Sequence, residues 1–315
     1  MDTEGQRMQI QKIDKLPSPI SFETAAPFLF LIMWSSGAVM VKMGLIDASP
    51  WTFLFLRAIT TFLFSTIVLL ILKPNLKFEL FRHDKASILA VLKVGFFLQF
   101  AYLSTYILSI DAGISPGLVT MVLGFQPLIT PFLAKESMSK QGYAILALGF
   151  IGLCVAVVGA KGIDMTHAIG LFFAFLALMS LTFGTIKQKG INMNIESMVV
   201  YQNLLTVLLF SIVALCTDWQ VTWTRELYLS LFWMSIVVSV GAVMLLLYML
   251  KRGSASQVSV LFYCIPLLAI LFDYLIFGEK LSEITVVGII IVVVAVYRFQ
   301  KIKPVQVAEN KRINK

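Results

Sequence analysis

Arg57 and Asp273 are the residues whose chemistry conflicts most sharply with their surroundings. Both are ionisable, yet they sit in Leu54-Phe-Leu-Arg57-Ala-Ile59 and Ile270-Leu-Phe-Asp273-Tyr-Leu275. A charge in hydrocarbon is costly unless it meets a protein partner or water, so each marks a candidate functional group. A guanidinium there attracts a carboxylate, either a fixed one from Asp47, Asp111 or Asp273 or one belonging to a bound solute. Asp273 has two readings: counter-ion to Lys42 or Arg57, or acceptor of a coupling proton, because desolvation disfavours the charged carboxylate. Lys42 and Lys93 lie near the ends of apolar stretches, where long side chains reach the headgroups.

Uncharged polar and aromatic residues extend this set. Gln126 precedes Pro127, where a helix bends and loosens backbone carbonyls. Gln202 and Asn203 fall in the middle of another apolar stretch. Trp34, Tyr102, Tyr248 and Tyr263 stand at mid-depth rather than at the interfaces where belt aromatics collect. A cavity lined by such residues suits an amphipathic solute, with plain packing as the competing reading of each aromatic. His83 and His167 lack partners at metal spacing, and Cys154, Cys216 and Cys264 are isolated in apolar runs. Neither a metal nor a nucleophilic enzyme is expected, and no cofactor. No Gly-x4-Gly-Lys-Ser/Thr loop is present to hydrolyse ATP.

These residues must be carried by membrane-spanning helices. The chain is 59% hydrophobic and 13% charged over 315 residues, too apolar for a soluble domain. Ten apolar stretches are expected at 26–46, 51–72, 87–110, 115–134, 141–160, 167–186, 195–217, 227–250, 255–277 and 282–300. Each approaches the ~20 residues that cross ~30 Å of hydrocarbon. The 25 Lys and Arg are distributed unevenly between the connections. One connection holds Lys73, Lys77, Arg82 and Lys85, and the C-terminal tail holds six more. Connections on the opposite side hold only Lys161, Arg225 and Lys280. Cytoplasmic loops collect Lys and Arg, which predicts both termini in the cytoplasm. The net charge of +8 therefore faces an anionic leaflet, and nucleic acid is not an expected partner.

The expected fold is all-α and integral to the membrane, with ten transmembrane helices in two inverted five-helix repeats. A cytoplasmic N-terminal tail (1–25) precedes a first repeat (26–160) and a second (161–300), and a cytoplasmic tail (301–315) closes the chain. Pro127 and Gly149 have the same spacing as Pro266 and Gly288. Trp34-Ser-Ser-Gly-Ala-Val-Met-Val-Lys42 parallels Met179-Ser-Leu-Thr-Phe-Gly-Thr-Ile-Lys187 in polarity. An odd number of spans per repeat inserts the halves with opposite orientation, a layout of many secondary transporters. Ser115-Pro-Gly117 and Gly253-Ser-Ala-Ser256 fall at matching places and supply close approach or hinges.

Trp34-Ser-Ser-Gly37, Pro50-x6-Arg57, Gly124-Phe-Gln-Pro127 and Gly278-Glu-Lys-Leu-Ser282 followed by Gly288 together resemble the drug/metabolite transporter superfamily, in its ten-helix EamA-like branch. The resemblance runs from about Ala26 to Phe299. The first repeat departs from it: Lys140 stands where Glu279 stands in the second, and the nearest acid is Glu136. The resemblance implies membrane transport of small organic solutes, often export of amino acids or related metabolites, in a bacterial inner membrane. The expected function is secondary, non-ATP export of such amphipathic compounds by alternating access. The expected substrate-binding residues are Trp34, Arg57, Tyr102, Gln126, Gln202, Tyr248 and Tyr263, with Asp273 as the proton-coupling candidate. Alternatives are an uptake carrier or exchanger for a nucleotide-like or cofactor metabolite, or a non-transporting membrane scaffold. The partners are then the solute and the lipid bilayer; a homodimer is compatible with the sequence.

Overall fold

Long apolar stretches become helices because hydrocarbon offers no partner to a free N–H or C=O, so each segment must bond its own backbone. The computed structural model describes residues 22–112, 116–161, 168–277 and 282–302. Its helices are α1 (Phe22–Asp47), α2 (Pro50–Leu72), α3 (Lys85–Asp111), α4 (116–133), α5 (Lys140–Lys161), α6 (Ala168–Lys189), α7 (Ile195–Cys216), α8 (Arg225–Arg252), α9 (255–277) and α10 (Glu283–Gln300). Eight of these are long and apolar enough to cross a membrane; α4 and α9 contain shorter apolar helices. The ten expected stretches all appear, with ends shifted by a few residues.

Polar residues set several helix starts. Asp84, Asn194, Thr224, Ser254 and Ser282 each accept a bond from a backbone N–H of the first turn of α3, α7, α8, α9 and α10, satisfying donors that have no intrahelical partner. At α9 the cap is reciprocal, because the Gln257 side chain also accepts from the Ser254 N–H.

Four helices are irregular. The expected bend in α4 is a break at Gly124–Phe125, with Gln126 and Pro127 opening a second helix. Proline suits that place, since the first turn of a helix needs no N–H there. α9 passes through a 3-10 turn at Val260–Tyr263. α3 and α8 each contain a π-helical stretch, at Phe96–Ala101 and Trp233–Ala242. Such stretches often accompany functional sites.

The helices pair across the molecule: α1 with α8 and α9, α2 with α7 and α8, α3 with α6 and α7, α4 with α6 and α9, and α5 with α10. The tightest pairing is α5 with α10. A Cβ on Gly288 would lie 2.3 Å from the Ala156 N, and one on Gly159 would lie 2.7 Å from the Thr285 N. Ser282 Oγ donates to the Gly159 carbonyl at 2.8 Å across the same seam.

The outer faces of the helices are aliphatic where a soluble protein's would be polar. Leu63, Ile67 and Ile71 on α2, and Leu208, Ile212 and Leu215 on α7, are exposed at helical spacing. Ser35, Thr61, Ser65, Thr182, Gln202, Asn203 and Ser235 are buried. A lipid-facing aliphatic rim around a well-packed, mainly apolar interior that also holds small polar side chains is what a helix bundle in a bilayer requires.

Candidate functional site

Two adjoining cavities lie inside the bundle, of about 130 Å³ and about 50 Å³. Both are lined by Trp34, Leu54, Arg57, Tyr102 and Leu103, so Arg57 stands at their boundary. The larger is walled by Phe53, Tyr106, Met234, Phe262 and Pro266 and is mainly apolar. The smaller carries Thr61, Gln99, Asn203, Thr206 and Ser239 and is the polar side.

Each wall has a local cause. Arg57 is two turns into α2, and its Nε donates to Ser239 Oγ at 2.9 Å. Ser239 belongs to the π-helical stretch of α8, and Ser235 one turn earlier donates to the Arg57 carbonyl at 3.2 Å. The widened turn thus places two hydroxyls against the same residue of α2. Gln99 lies in the π-helical stretch of α3. Trp34 packs edge-on against Phe262, with centroids 5.9 Å apart, and the Tyr102 and Tyr106 rings are 6.1 Å apart.

Of the residues expected from sequence, Trp34, Arg57 and Tyr102 meet at the cavities. Gln202 lies just behind the polar one, accepting from Gln99 Nε2 at 3.4 Å and donating to Gln188 Oε1 at 2.7 Å. Thr206 Oγ1 donates to Gln99 Oε1 at 3.3 Å, so α3, α6 and α7 share one amide network. Gln126 lines neither cavity; it is fully buried and donates to Thr185 Oγ1 at 3.3 Å. Tyr263 is also fully buried and donates to the Leu146 carbonyl of α5 at 2.9 Å, a packing position beside Gly149. Tyr248 lies near the C-terminal end of α8, between Phe22 and the Arg252 guanidinium. The side chains of Asp273 and Lys42 lie outside the described residues.

With the Asp273 side chain outside the described residues, the fixed partners left from sequence are Asp47 and Asp111, and Arg57 pairs with neither. Among the described residues no carboxylate meets it. Asp47 Oδ2 instead accepts from Thr224 Oγ1 at 2.5 Å, and Asp111 is exposed. The Asp47–Thr224 bond belongs to a bridge between the α1–α2 and α7–α8 connections, where Ser49 N donates to Gln220 O at 3.0 Å. Sequence reasoning missed Ser239, Tyr106, Phe262 and the amides Gln99 and Gln188. Their only sequence signal was polarity or aromaticity at mid-span, shared with many packing residues. It also missed that Glu136 accepts from the Ala255 and Ser256 N–H groups, at 3.0 and 3.4 Å, joining the end of α4 to the start of α9.

Apolar helices of membrane-spanning length, with lipid-facing aliphatic rims around an interior cavity, define a multi-pass integral membrane protein. Residues 168–299 match the model of the EamA-like transporter family. The chain is 21% identical over 285 residues to a probable amino-acid metabolite efflux pump of Escherichia coli (strain K12), spanning 85% of this chain and 91% of that protein. It is 26% identical over 189 residues to the uncharacterized transporter YvbV of Bacillus subtilis (strain 168), covering 57% of this chain and 61% of the relative. A solved crystal structure shares the fold with a TM-score of 0.73 at 17% identity, over 87% of this chain and 94% of the other.

Proposed function

We propose that the protein is a secondary exporter of amino acids or related small amphipathic metabolites, working by alternating access around the Arg57 cavities. The observation that carries this reading is a water-sized to solute-sized space at the meeting of α1, α2, α3 and α8, lined by one cation and several aromatics. The name of the Escherichia coli relative supports the solute class.

The helix pairings support two inverted repeats, 26–160 and 161–300. Replacing each helix by the one five places along turns α1–α8 into α3–α6, α1–α9 into α4–α6, and α2–α8 into α3–α7. The pairs α2–α7, α4–α9 and α5–α10 map onto themselves. The π-helical stretches in α3 and α8, and the irregular helices α4 and α9, are also five places apart. Rocking of one such half against the other exposes a central site to each side in turn. The distribution of Lys and Arg supports cytoplasmic termini in a bacterial inner membrane.

The test is counterflow of radiolabelled amino acids and their metabolites in proteoliposomes. Val238 lines the larger cavity from α8, so Val238→Trp should plug it and abolish saturable flux while the protein stays monodisperse. Undiminished flux in the plugged variant would place the route elsewhere. An Asp273→Asn variant assayed with and without a pH gradient tests proton coupling: gradient-driven accumulation should vanish while exchange persists.

A further inference from the structure

The guanidinium of Arg57 is incompletely satisfied. Its Nε is engaged by Ser239 Oγ, and among the described residues neither terminal nitrogen has a hydrogen-bond partner. Among the described residues, Arg57 is also the only charged side chain that lines the two cavities. One neutral hydroxyl does not replace the hydration of a guanidinium, so the remaining donors need water or an anion.

We propose that the two terminal nitrogens of Arg57 form a binding site for the carboxylate of a monoanionic organic solute, whose apolar body occupies the cavity lined by Trp34, Tyr106 and Phe262. The inference rests on the transporter reading and narrows its solutes to amphipathic monocarboxylates, the related metabolites that lack an amino acid's ammonium. The planar fork of a guanidinium presents parallel N–H donors that match the two oxygens of a carboxylate. With Nε held by Ser239, the terminal nitrogens are the part of the fork left to meet a ligand. Charge sets the valence of that ligand. A single carboxylate neutralises one guanidinium, whereas a phosphomonoester dianion would leave excess charge within the bilayer. The neighbouring aromatic and aliphatic wall accepts an apolar body without further polar demands.

Ser239 is a positioning residue in this arrangement. It fixes the plane of the guanidinium from the π-helical stretch of α8, so it ties recognition of the anion to a helix of the other half of the chain.

Three probes that share one body and differ only in the head separate the chemistry: 3-phenylpropionate, 3-phenylpropionamide and 3-phenylpropylamine. Binding to the detergent-purified full-length protein is measured by calorimetry and thermal shift. The acid should bind at least about tenfold more tightly than the amide, the usual scale for a charge-assisted bidentate contact, and the amine should not bind. Arg57→Lys keeps the charge but loses the fork and should weaken the acid about tenfold, leaving the amide unchanged. Ser239→Ala should weaken the acid by a smaller factor with no effect on the amide; a merely structural role would weaken both or neither. Equal binding of acid and amide, or full acid affinity in Arg57→Lys, would overturn the proposal. Flux in proteoliposomes is read separately. Acid binding without saturable flux would refute transport through this cavity and leave the anion site standing. Saturable flux of another solute that the acid does not compete with would refute the anion site and leave the carrier standing.

Discussion

The α5–α10 seam and the cavity walls built by α2, α3 and α8 are both helix contacts in one bundle, yet they follow opposite rules. At the seam, glycines bring backbones together so closely that a Cβ on Gly288 would collide with main-chain atoms of Ala156. Close packing of this kind is what holds helices together in lipid, where the hydrophobic effect gives no preference for helix over hydrocarbon. Around the cavity, large side chains keep the backbones apart, two helices carry π-helical stretches, and a guanidinium rests on one hydroxyl. A seam without spare volume has one arrangement, whereas a cavity wall with voids and widened turns has room for more than one. The seam and the cavity walls are therefore distinguished by packing rather than by composition.

The largest expected effect is at the seam. Gly288→Leu places a side chain where backbone already lies, and should destabilise by at least about 3 kcal/mol, the upper part of the overpacking range. Loss of the monodisperse peak in size-exclusion chromatography checks it. A well-folded Gly288→Leu protein would show that the seam can give, and would remove the contrast.

Next in size is Arg57→Ala in the cavity wall, which should reverse the pattern. Solute flux should fall by about tenfold to a hundredfold if a charged hydrogen bond is lost. Thermal stability should hold or rise, because the change removes an interior charge that meets no carboxylate among the described residues. Proteoliposome flux and a melting curve on the same preparation decide the matter; a collapse in stability would make Arg57 part of the scaffold.

Thr224→Ala removes both the cap of α8 and the donor to Asp47. It should cost about 1 to 2 kcal/mol, the scale of a lost N-cap, read as a lower unfolding temperature. Tyr263→Phe should cost about 1 kcal/mol for one buried hydrogen bond and leave flux intact, since Tyr263 packs against α5.

The smallest effect concerns Asp84, whose carboxylate is held below its ordinary pKa by its bonds to Ser87. A depressed carboxylate contributes stability that is complete above its unfolded pKa and lost as pH falls through the folded value. Asp84→Asn keeps a capping oxygen without titrating, and should flatten that shallow acid-side slope in a pH series of melting curves.

Much of the architecture was legible before any tertiary structure. Ten stretches of apolar residues appear as helical segments near the expected boundaries, because each must satisfy its own backbone within about 20 residues of hydrocarbon. The break beside Gln126-Pro127 was legible for the same local reason, although it falls at Gly124–Phe125. Arg57 stood out because a cation in Leu54-Phe-Leu-Arg57-Ala-Ile59 is expensive wherever it points.

What a residue faces is a different kind of fact. Trp34 and Tyr263 are both mid-span aromatics, yet one lines a cavity and the other seals α9 against α5. Gln126 and Gln202 are both mid-span amides, yet only Gln202 joins the network behind the cavity, through Gln99. Ser239 carried only the unspecific signal of polarity at mid-span, since a serine in an apolar helix is an ordinary packing residue until a neighbour more than a hundred positions away brings a guanidinium to it. The sequence by itself determined the medium, the number of long helical segments and Arg57 as a charge that must be answered inside them, because those follow from local composition and the chemistry of hydrocarbon. Tertiary structure alone decided which side chains answer that charge, because helix rotation and pairing depend on contacts between segments distant in the chain.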